Sequence, residues 1–411
     1  MSENSPITSG SAVAPARYTF PLSRGTMVLD IASGTFALGD LIRMAERQNP
    51  KRGFLFVSTV LGRHIPVSAG SHRVILEQLA EGVSGKIDTA SDVLVMGYAE
   101  TATGLGAGVH DALRKRMTSG RIGYLPTTRH PGDREVWCSF SEDHSHVTGH
   151  SILQPEQDDL KGLAAQAQTL VLVDDEATTG KTFSNLISAL ASVGRTFEHI
   201  CLVTLTDWSA GDVRDAISSL AGCEKTTVSS VSLIEGRWRW TPVDGLAAQV
   251  IPTEAARLPG PGIDRETAAW RAGISGETRL PVDAVRGYLE DGRPVGPVLV
   301  IGTGEYVWQA FRMAEQVSEM GRDAWFLATT RSPVLKGDTV REKVTFSDHY
   351  GLGVPMYLHN VTPSDWGAII MMVEDEGTQG IDPILCHHLS DFAIQTPSGR
   401  IIQYKEGKPC A

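Results

Sequence analysis

The chain has 411 residues, of which 41% are hydrophobic, and this length predicts two domains rather than one. Its 48 acidic residues exceed its 37 basic residues and give a formal net charge of −11, which disfavours broad binding to nucleic acids or anionic membranes. The five cysteines are scattered without a C-x-x-C pair, and the longest apolar runs are too short to span a bilayer. We therefore expect a protein of the reducing cytoplasm without nucleic-acid or membrane partners.

Short apolar runs alternate with helical patterns along the first half of the chain. Strands are predicted at Met27–Ile31, Phe54–Val57, Val93–Met96, Ile122–Leu125, Leu170–Val173 and His199–Leu205. Helices are predicted between them at Phe36–Gln48, Gly108–Arg116 and Thr182–Ser192. Strands that alternate with helices are typical of a parallel α/β sheet, so we predict that fold class.

The division into domains follows from the local composition. Residues 1–16 are rich in Ser, Ala and Pro and are expected to be disordered. The sequence RLPGPGID, with two prolines and two glycines, predicts a linker at 257–265. We therefore predict a first domain at 17–256 and a second α/β domain at 266–411, with strands at Val298–Ile301, Trp325–Ala328 and Ile369–Val373.

Four short motifs recur in the same order in the two halves of the chain. VLVMGYAE (93–100) matches VLVIGTGE (298–305), and TTRHP (127–131) matches TTRSP (329–333). SFSEDH (139–144) matches TFSDH (345–349), and VLVDDEATTG (171–180) matches MMVEDEGTQG (371–380). Chance explains one such match more readily than four collinear ones, so we interpret the second half as a diverged copy of the first.

The segment TLVLVDDEATTGKT (169–182) contains the strongest local signal. A buried strand ends at Asp174 and Asp175, and a Thr/Gly-rich turn then opens a helix. Proteins with parallel sheets bind ligands at the loops that follow the strands, and the free N–H groups at the start of a helix bind phosphate. The turn therefore predicts a phosphate-monoester site, with the two acids placed to accept hydrogen bonds from ribose hydroxyls or to hold Mg²⁺. A P-loop is excluded because its first glycine would fall on Asp175, and simple helix capping by the acids is the less favoured alternative.

This motif resembles the loop that binds phosphoribosyl pyrophosphate (PRPP) in type I phosphoribosyltransferases. The family pattern is an aliphatic strand, an acidic pair and a Thr/Gly-rich turn, from which the chain departs at Glu176 and Ala177. The resemblance implies that Asp174 and Asp175 contact the ribose 2′- and 3′-hydroxyls, act in catalysis and hold Mg²⁺. It implies that the 5′-phosphate is bound by the turn residues Ala177, Thr178, Thr179, Gly180, Lys181 and Thr182.

Two upstream segments match the same family. DVLVMGYAETATGLGAG (92–108) is placed like the family's pyrophosphate loop, which brings Glu100, Thr101, Thr103 and Gly104 near the pyrophosphate. The segment at 124–150 matches the mobile loop that closes over PRPP. The resemblance makes Arg129 the cation for pyrophosphate, because a guanidinium binds phosphate oxygens in pairs.

Three histidines lie close together at the end of this loop segment, at positions 144, 146 and 150. On an extended strand they would share one face, which is compatible with a metal site. The alternatives are a lid contact to substrate or pyrophosphate, which we favour for His144 and His146, and a solvated loop.

The whole chain resembles a more specific family, phosphoribosyltransferases followed by a C-terminal TRSP domain and associated with tellurium-resistance-type stress operons. The supporting segments are NPKRGFLFVSTVLGRHIPV (49–67), GYAETATGLG (97–106), the DDEATTGKT loop and TTRSP (329–333). Arg63 and His64 in the first segment become acceptor or lid candidates, with ordinary turn residues as the alternative. The predicted fold is α/β, a type I phosphoribosyltransferase-like (Rossmann-like) parallel sheet followed by a second, diverged phosphoribosyltransferase-like α/β domain.

The predicted function is Mg²⁺-dependent transfer of 5-phosphoribosyl from PRPP to a base-like or other nucleophilic small molecule, with release of pyrophosphate, in nucleotide or nucleoside-like metabolite synthesis. The alternative is a non-catalytic PRPP-binding sensor. The second half has Asp382 where the first has Thr182, and a carboxylate there opposes phosphate binding. Its TTRSP loop is expected to supply Arg331 to the first site within an internal pseudo-two-fold dimer, and a homodimer is left open.

Overall fold

The computed structural model describes residues 7–8, 10–47, 52–141, 149–243, 268–291, 295–377 and 380–410. The predicted linker at 257–265 lies outside the described residues, and the domain boundaries therefore remain a proposal. Within the described ranges, no helix combines the length and apolar character that a membrane crossing requires.

Strands and helices alternate along both halves of the chain. The strands of the first half are β1 (Ala16–Leu22), β2 (Gly25–Gly34), β3 (Ile42–Glu46), β4 (Phe54–Ser58), β5 (Val67–Ser68), β6 (Val93–Gly97), β7 (Ile122–Thr128), β8 (Val136–Phe140), β9 (His150–Leu153), β10 (Thr169–Ala177), β11 (His199–Asp207) and β12 (Thr227–Pro242). Its helices are α1 (Leu38–Leu41), α2 (Ala69–Ser84), α3 (Thr103–Arg114), α4 (Asp158–Gln166), α5 (Lys181–Ser192) and α6 (Asp212–Ser218).

The second half repeats this alternation. Its strands are β13 (Val298–Gly302), β14 (Ala324–Ala328), β15 (Lys343–Ser347), β16 (Pro355–His359), β17 (Ala368–Met372), β18 (Phe392–Gln395), β19 (Ile401–Lys405) and β20 (Lys408–Pro409). Its helices are α7 (Val282–Glu290), α8 (Val307–Glu319) and α9 (Pro383–Leu389), with short 3₁₀ turns at Ala269–Ala272 and Pro363–Asp365.

The first half builds a nine-stranded sheet in the order β1-β2-β12-β11-β10-β6-β7-β9-β8 among the described residues. The strands from β12 to β7 are parallel to one another, and antiparallel strands flank them on both sides. Strand β6 has the sequence VLVMG and is buried throughout, as expected for a parallel strand covered on both faces. The predicted α/β fold of the first half is confirmed.

The second sheet has the same parallel core as the first. Its order is β20-β19-β18-β17-β13-β14-β5, in which β14, β13, β17 and β18 are parallel. These four strands follow one another as β7, β6, β10 and β11 do in the first sheet, and a β15–β16 hairpin stands where the first half has β8–β9. The second domain is therefore a diverged copy of the first in topology as well as in sequence.

Helices α3 and α8 occupy equivalent places after β6 and β13, and they pack against each other. The apolar core of the first half continues through this contact into Val307, Trp308 and Phe311 of α8. Gly104 allows the close approach, because a Cβ there would lie 2.7 Å from Cγ1 of Val307. The two halves thus share one core.

One local prediction from the sequence is wrong. The helix expected at Phe36–Gln48 is only the four-residue α1, because the following residues pair as β3 with the apolar strand β4. Within the segment 1–16, which we expected to be disordered, Val13 pairs with Gly34 and the Ile7 N–H donates to Ser71 Oγ at 3.0 Å. The disorder of the segment as a whole stays a prediction.

Candidate active site

A cavity of about 670 Å³ opens where β6, β7 and β10 end. Residues of both halves line it, so it is not a pocket of the first sheet alone. Most of the predicted site residues meet here, namely Glu100, Thr101, Arg129, Asp174, Asp175, Thr178, Thr179, Lys181, Thr182, Arg63, His64 and Arg331. The carboxyl edge of a parallel sheet is the usual place for a ligand.

The predicted phosphate turn lies between β10 and α5. Gly180 has φ +71° and immediately precedes the helix, and a Cβ there would come within 2.7 Å of Val213 Cγ1. The left-handed backbone and the close contact both require glycine. The N-terminus of α5 lies at the cavity, which Thr178, Thr179 and Thr182 also line. Ala177 and Gly180 do not line the cavity, and their assignment to PRPP binding stays a prediction.

The acidic pair at the end of β10 is half-buried and destabilised in its charged form. Desolvation by the surrounding protein raises the pKa of Asp174 well above its ordinary value, and repulsion from Asp175 adds to it. Desolvation, followed by repulsion from Glu176, raises the pKa of Asp175 to about 6. The two acids are also joined through the Asp175 N–H, which donates to Asp174 Oδ1 at 3.0 Å.

The acidic pair could hold a magnesium ion only jointly with phosphate oxygens of a ligand, because the described residues include no group of three potential metal ligands. Mg²⁺ prefers carboxylate oxygens, and Asp174, Asp175 and Glu100 all line the cavity. A cation would offset the desolvation and the repulsion that raise the two aspartate pKa values. In addition, Oε2 of Glu176 is buried and has no hydrogen-bond partner among the described residues.

The predicted pyrophosphate loop follows β6 and divides into two parts. The Ala99–Glu100 peptide bond is cis, and Glu100 and Thr101 line the cavity. Thr103 and Gly104 do not line it, and their assignment as PRPP contacts stays a prediction. They open α3 against the second half, where Thr103 Oγ1 lies 3.2 Å from the Glu305 carbonyl. The helix begins earlier than the sequence pattern suggested and turns these residues inward.

Contacts across the interface between the halves are reciprocal. The Arg129 N–H donates to Glu305 Oε1 at 2.9 Å, and the equivalent Arg331 N–H lies 3.5 Å from Glu100 Oε2. Glu100 and Glu305 occupy equivalent positions in the repeat, as do Arg129 and Arg331. Such exchange of equivalent contacts is the signature of a two-fold interface.

Internal bonds of the two copies repeat as well. The Ala99 N–H donates to Thr127 Oγ1 at 2.8 Å, and the equivalent Gly304 N–H donates to Thr329 Oγ1 at 2.8 Å. The loops after β7 and β14 are therefore anchored in the same way in both halves.

A buried ionic network of the second half positions Arg129. Arg271 is fully buried and pairs with Glu305 and, through two bonds of 2.8 Å, with Glu374. Thr128 Oγ1 donates to Glu305 at 2.7 Å. Burial alone would raise the pKa of Glu305, but the charge of Arg271 and the hydrogen bonds from the Arg129 N–H and Thr128 lower it to about 2. This carboxylate therefore stays charged beneath the Arg129 loop.

Arg63 and His64 both reach the cavity, but Arg63 serves the interface. Its guanidinium donates to the carbonyls of Gly304 and Glu100 and lies 3.2 Å from Thr103 Oγ1. Most of its hydrogen bonds therefore join the two halves. His64 is neutral, because burial and then Arg63 lower its pKa to about 3.

Residues 142–148, with His144 and His146, lie outside the described residues, so their metal and lid assignments remain predictions. His150 is fully buried, stacks on Phe140 at 4.8 Å and has Nδ1 2.9 Å from Thr127 Oγ1. Among the described residues no group of three potential metal ligands was found.

The structure adds site residues that the motifs did not indicate. They are Arg47, Arg52, Leu55, Phe56, Ser58, Tyr98, Glu176, Asn185, Thr330 and Ser332. Arg47 and Arg52 come from the hairpin formed by β3 and β4. The only sequence signal for them was the basic character of 47–52 at the start of the first family segment.

The equivalent site in the second half is filled by its own side chains. Glu374, which corresponds to Asp174, is bonded to Arg271, Trp270 and Tyr350. Asp382, which corresponds to Thr182, caps α9 and accepts the Ser347 N–H at 2.8 Å. The acids retained from the ancestral site now hold protein groups.

The comparison with protein families gives the class of protein to which this fold belongs. Residues 41–237 match the family described as phosphoribosyl transferase, and residues 271–388 match the TRSP domain that lies C-terminal to it. The chain belongs to the phosphoribosyl transferases that carry a TRSP domain. A search of curated proteins found no match.

Solved structures similar to the chain include three phosphoribosyltransferases. The adenine enzyme of Trypanosoma brucei, in complex with AMP, pyrophosphate and ribose-5-phosphate, is 10% identical with a TM-score of 0.28, and the match covers 38% of this chain and 64% of that one. The adenine enzyme of Thermoanaerobacter pseudethanolicus is 20% identical with a TM-score of 0.30, covering 47% and 96%. The orotate enzyme of Aeropyrum pernix is 19% identical with a TM-score of 0.26, covering 44% and 79%.

Proposed function

We propose that this protein transfers the 5-phosphoribosyl group of PRPP to a nucleophilic small molecule and releases pyrophosphate. The observation that supports it most is the single cavity in which the acidic pair, the phosphate turn and the pyrophosphate loop meet. The ribose hydroxyls bond Asp174 and Asp175, and the 5′-phosphate lies on the turn at 178–182. The product would serve nucleotide or nucleoside-like metabolite synthesis, with a role in tellurium-type stress as the cellular setting.

Catalysis would come from position and charge. Mg²⁺, when bound by the carboxylates and the pyrophosphate, would neutralise charge on the leaving group. Arg129 would stabilise pyrophosphate as its charge develops, and the acidic pair would fix the ribose so that C1 faces the acceptor. Exclusion of water by the walls of the cavity would protect the reacting centre.

We further propose that the TRSP half takes the place of a partner subunit. It presents Arg331 to the cavity, and Nη1 of that side chain is buried without a hydrogen-bond partner among the described residues. A pyrophosphate oxygen would satisfy it. Because the second-half site is filled by Arg271 and Tyr350, each chain would bind one PRPP.

The test measures pyrophosphate released from Mg·PRPP with a panel of bases and a small-molecule cell extract, together with a control without acceptor. Acceptor-dependent release by the wild type, reduced at least about tenfold in Arg331→Ala, is expected from the loss of one charge-assisted bond. A protein that binds Mg·PRPP but releases no pyrophosphate would instead be a sensor. Unchanged release by Arg331→Ala would refute the role of the second half.

A further inference from the structure

The wall of the cavity formed by the β3–β4 hairpin contains an arginine that the proposed PRPP contacts do not use. Arg47 follows β3 directly, and Leu55 and Phe56 of β4 line the cavity with it. The phosphate turn, the acidic pair and the pyrophosphate loop all come from other elements. This wall is therefore the part of the cavity left for the acceptor.

Arg47 has no acidic partner, unlike its neighbours. Arg52 pairs with Glu176 at 2.7 Å, and Arg63 pairs with Glu100 at 3.5 Å. Arg47 donates Nε to the Arg52 carbonyl at 3.1 Å and makes no ion pair with any residue that the structure describes. Its two terminal nitrogens thus remain available to the cavity.

The surroundings of Arg47 disfavour its charge. Burial and, to a smaller extent, the charge of Arg52 lower its pKa to about 10, while the charge of Glu176 opposes the shift. A partly buried cation without a counter-ion is costly to a fold unless a ligand supplies the charge. The cost indicates that an anion belongs beside it.

The position of Arg47 is fixed rather than adaptable. Its backbone pairs with Val334, and the Leu335 N–H donates to the Glu46 carbonyl at 2.8 Å. These contacts join the hairpin to the loop that follows TTRSP. The backbone of Arg47 is therefore fixed by both halves, and its guanidinium is oriented by the Arg52 carbonyl.

We infer that the acceptor of the transfer is an anion whose carboxylate or phosphate group binds Arg47 while its body lies against Leu55 and Phe56. This inference rests on the proposed function. The guanidinium can bond two oxygens of such a group at once, and a neutral molecule of the same shape would leave it unpaired.

The test is calorimetric titration of the Mg·PRPP-saturated protein with two matched pairs of probes. Nicotinate and nicotinamide differ in a carboxylate, and phenyl phosphate and phenol differ in a phosphate. In the wild type we expect the anion of one pair to bind about 10- to 100-fold more tightly than its neutral partner, the range for a charge-assisted bond. The pair that shows the difference identifies the anionic group.

Arg47→Met should abolish this preference, Arg47→Lys should retain part of it, and neither should change the affinity for Mg·PRPP. Arg43→Met is the matched control, because Arg43 lies on the same hairpin but lines a different cavity. Equal or absent binding of both members of each pair, or loss of Mg·PRPP affinity in Arg47→Met, would overturn the inference. Failure of the wild type to bind Mg·PRPP would instead refute the proposed function.

Discussion

Replacing Asp175 by asparagine should make the free protein more stable and a poorer binder of PRPP. The structure surrounds this carboxylate with protein and places Glu176 beside it, which raises its pKa from 3.8 to about 6. A folded-state pKa above the unfolded value means that stability is fully present below about pH 4 and is lost as the pH rises through 6. At pH 7.5 the wild type therefore bears the full cost of the charge.

The size of the effect follows from the shift. About two pKa units, at 1.36 kcal/mol each, give on the order of 3 kcal/mol as an upper limit. We expect Asp175→Asn to raise the free energy of unfolding by about 1–3 kcal/mol at pH 7.5 and by little near pH 4. The same change removes a charged acceptor from the ribose site and should weaken Mg·PRPP binding by about 10- to 100-fold.

Urea unfolding at both pH values and calorimetry with Mg·PRPP measure the two effects. Asp215→Asn on α6 is the control, since its side chain is exposed and should change neither quantity. A variant that is less stable than the wild type at pH 7.5, or one with unchanged PRPP affinity, would refute the reasoning about this site.

Three further changes test other parts of the site. Gly180→Ala forces a Cβ onto a left-handed backbone beside Val213, so we expect a loss of about 1–3 kcal/mol in urea unfolding and weaker Mg·PRPP binding; wild-type values would contradict the geometry. Glu305→Gln removes a buried counter-charge of Arg271, so it should lower both the melting temperature and the rate of pyrophosphate release. An unaltered rate would show that this network does not position the Arg129 loop. Arg129→Ala should reduce turnover more than Mg·PRPP affinity, because pyrophosphate charge develops on departure, whereas equal losses would make it a ground-state anchor.

The sequence predicted those elements whose signal is local. Strands such as β6 and β13 are continuous apolar runs, and both are buried throughout. The phosphate turn was recognisable because acids, threonines and glycine must stand at fixed distances along the chain to build it. The same holds for the repeat, which the matching strand orders of the two sheets bear out.

Features that depend on distant contacts could not be predicted. Residues after Leu41 suit a helix in isolation, but β4 offers them a partner and they form a strand. The contacts of Thr103 and Gly104 with the second half depend on the packing of α3 against α8, which no local pattern indicates. Arg47 had no motif, since its place beside the cavity depends on the pairing of its backbone with Val334.

A crystal structure with Mg²⁺ and PRPP bound tests the central claim most directly. The account predicts one PRPP per chain, with the ribose hydroxyls on Asp174 and Asp175 and the 5′-phosphate on the turn at 178–182. It also predicts a pyrophosphate oxygen within hydrogen-bond distance of Arg331 Nη1. PRPP bound in the second half, or bound in the first half with Arg331 turned away from the pyrophosphate, would contradict a site built from both halves.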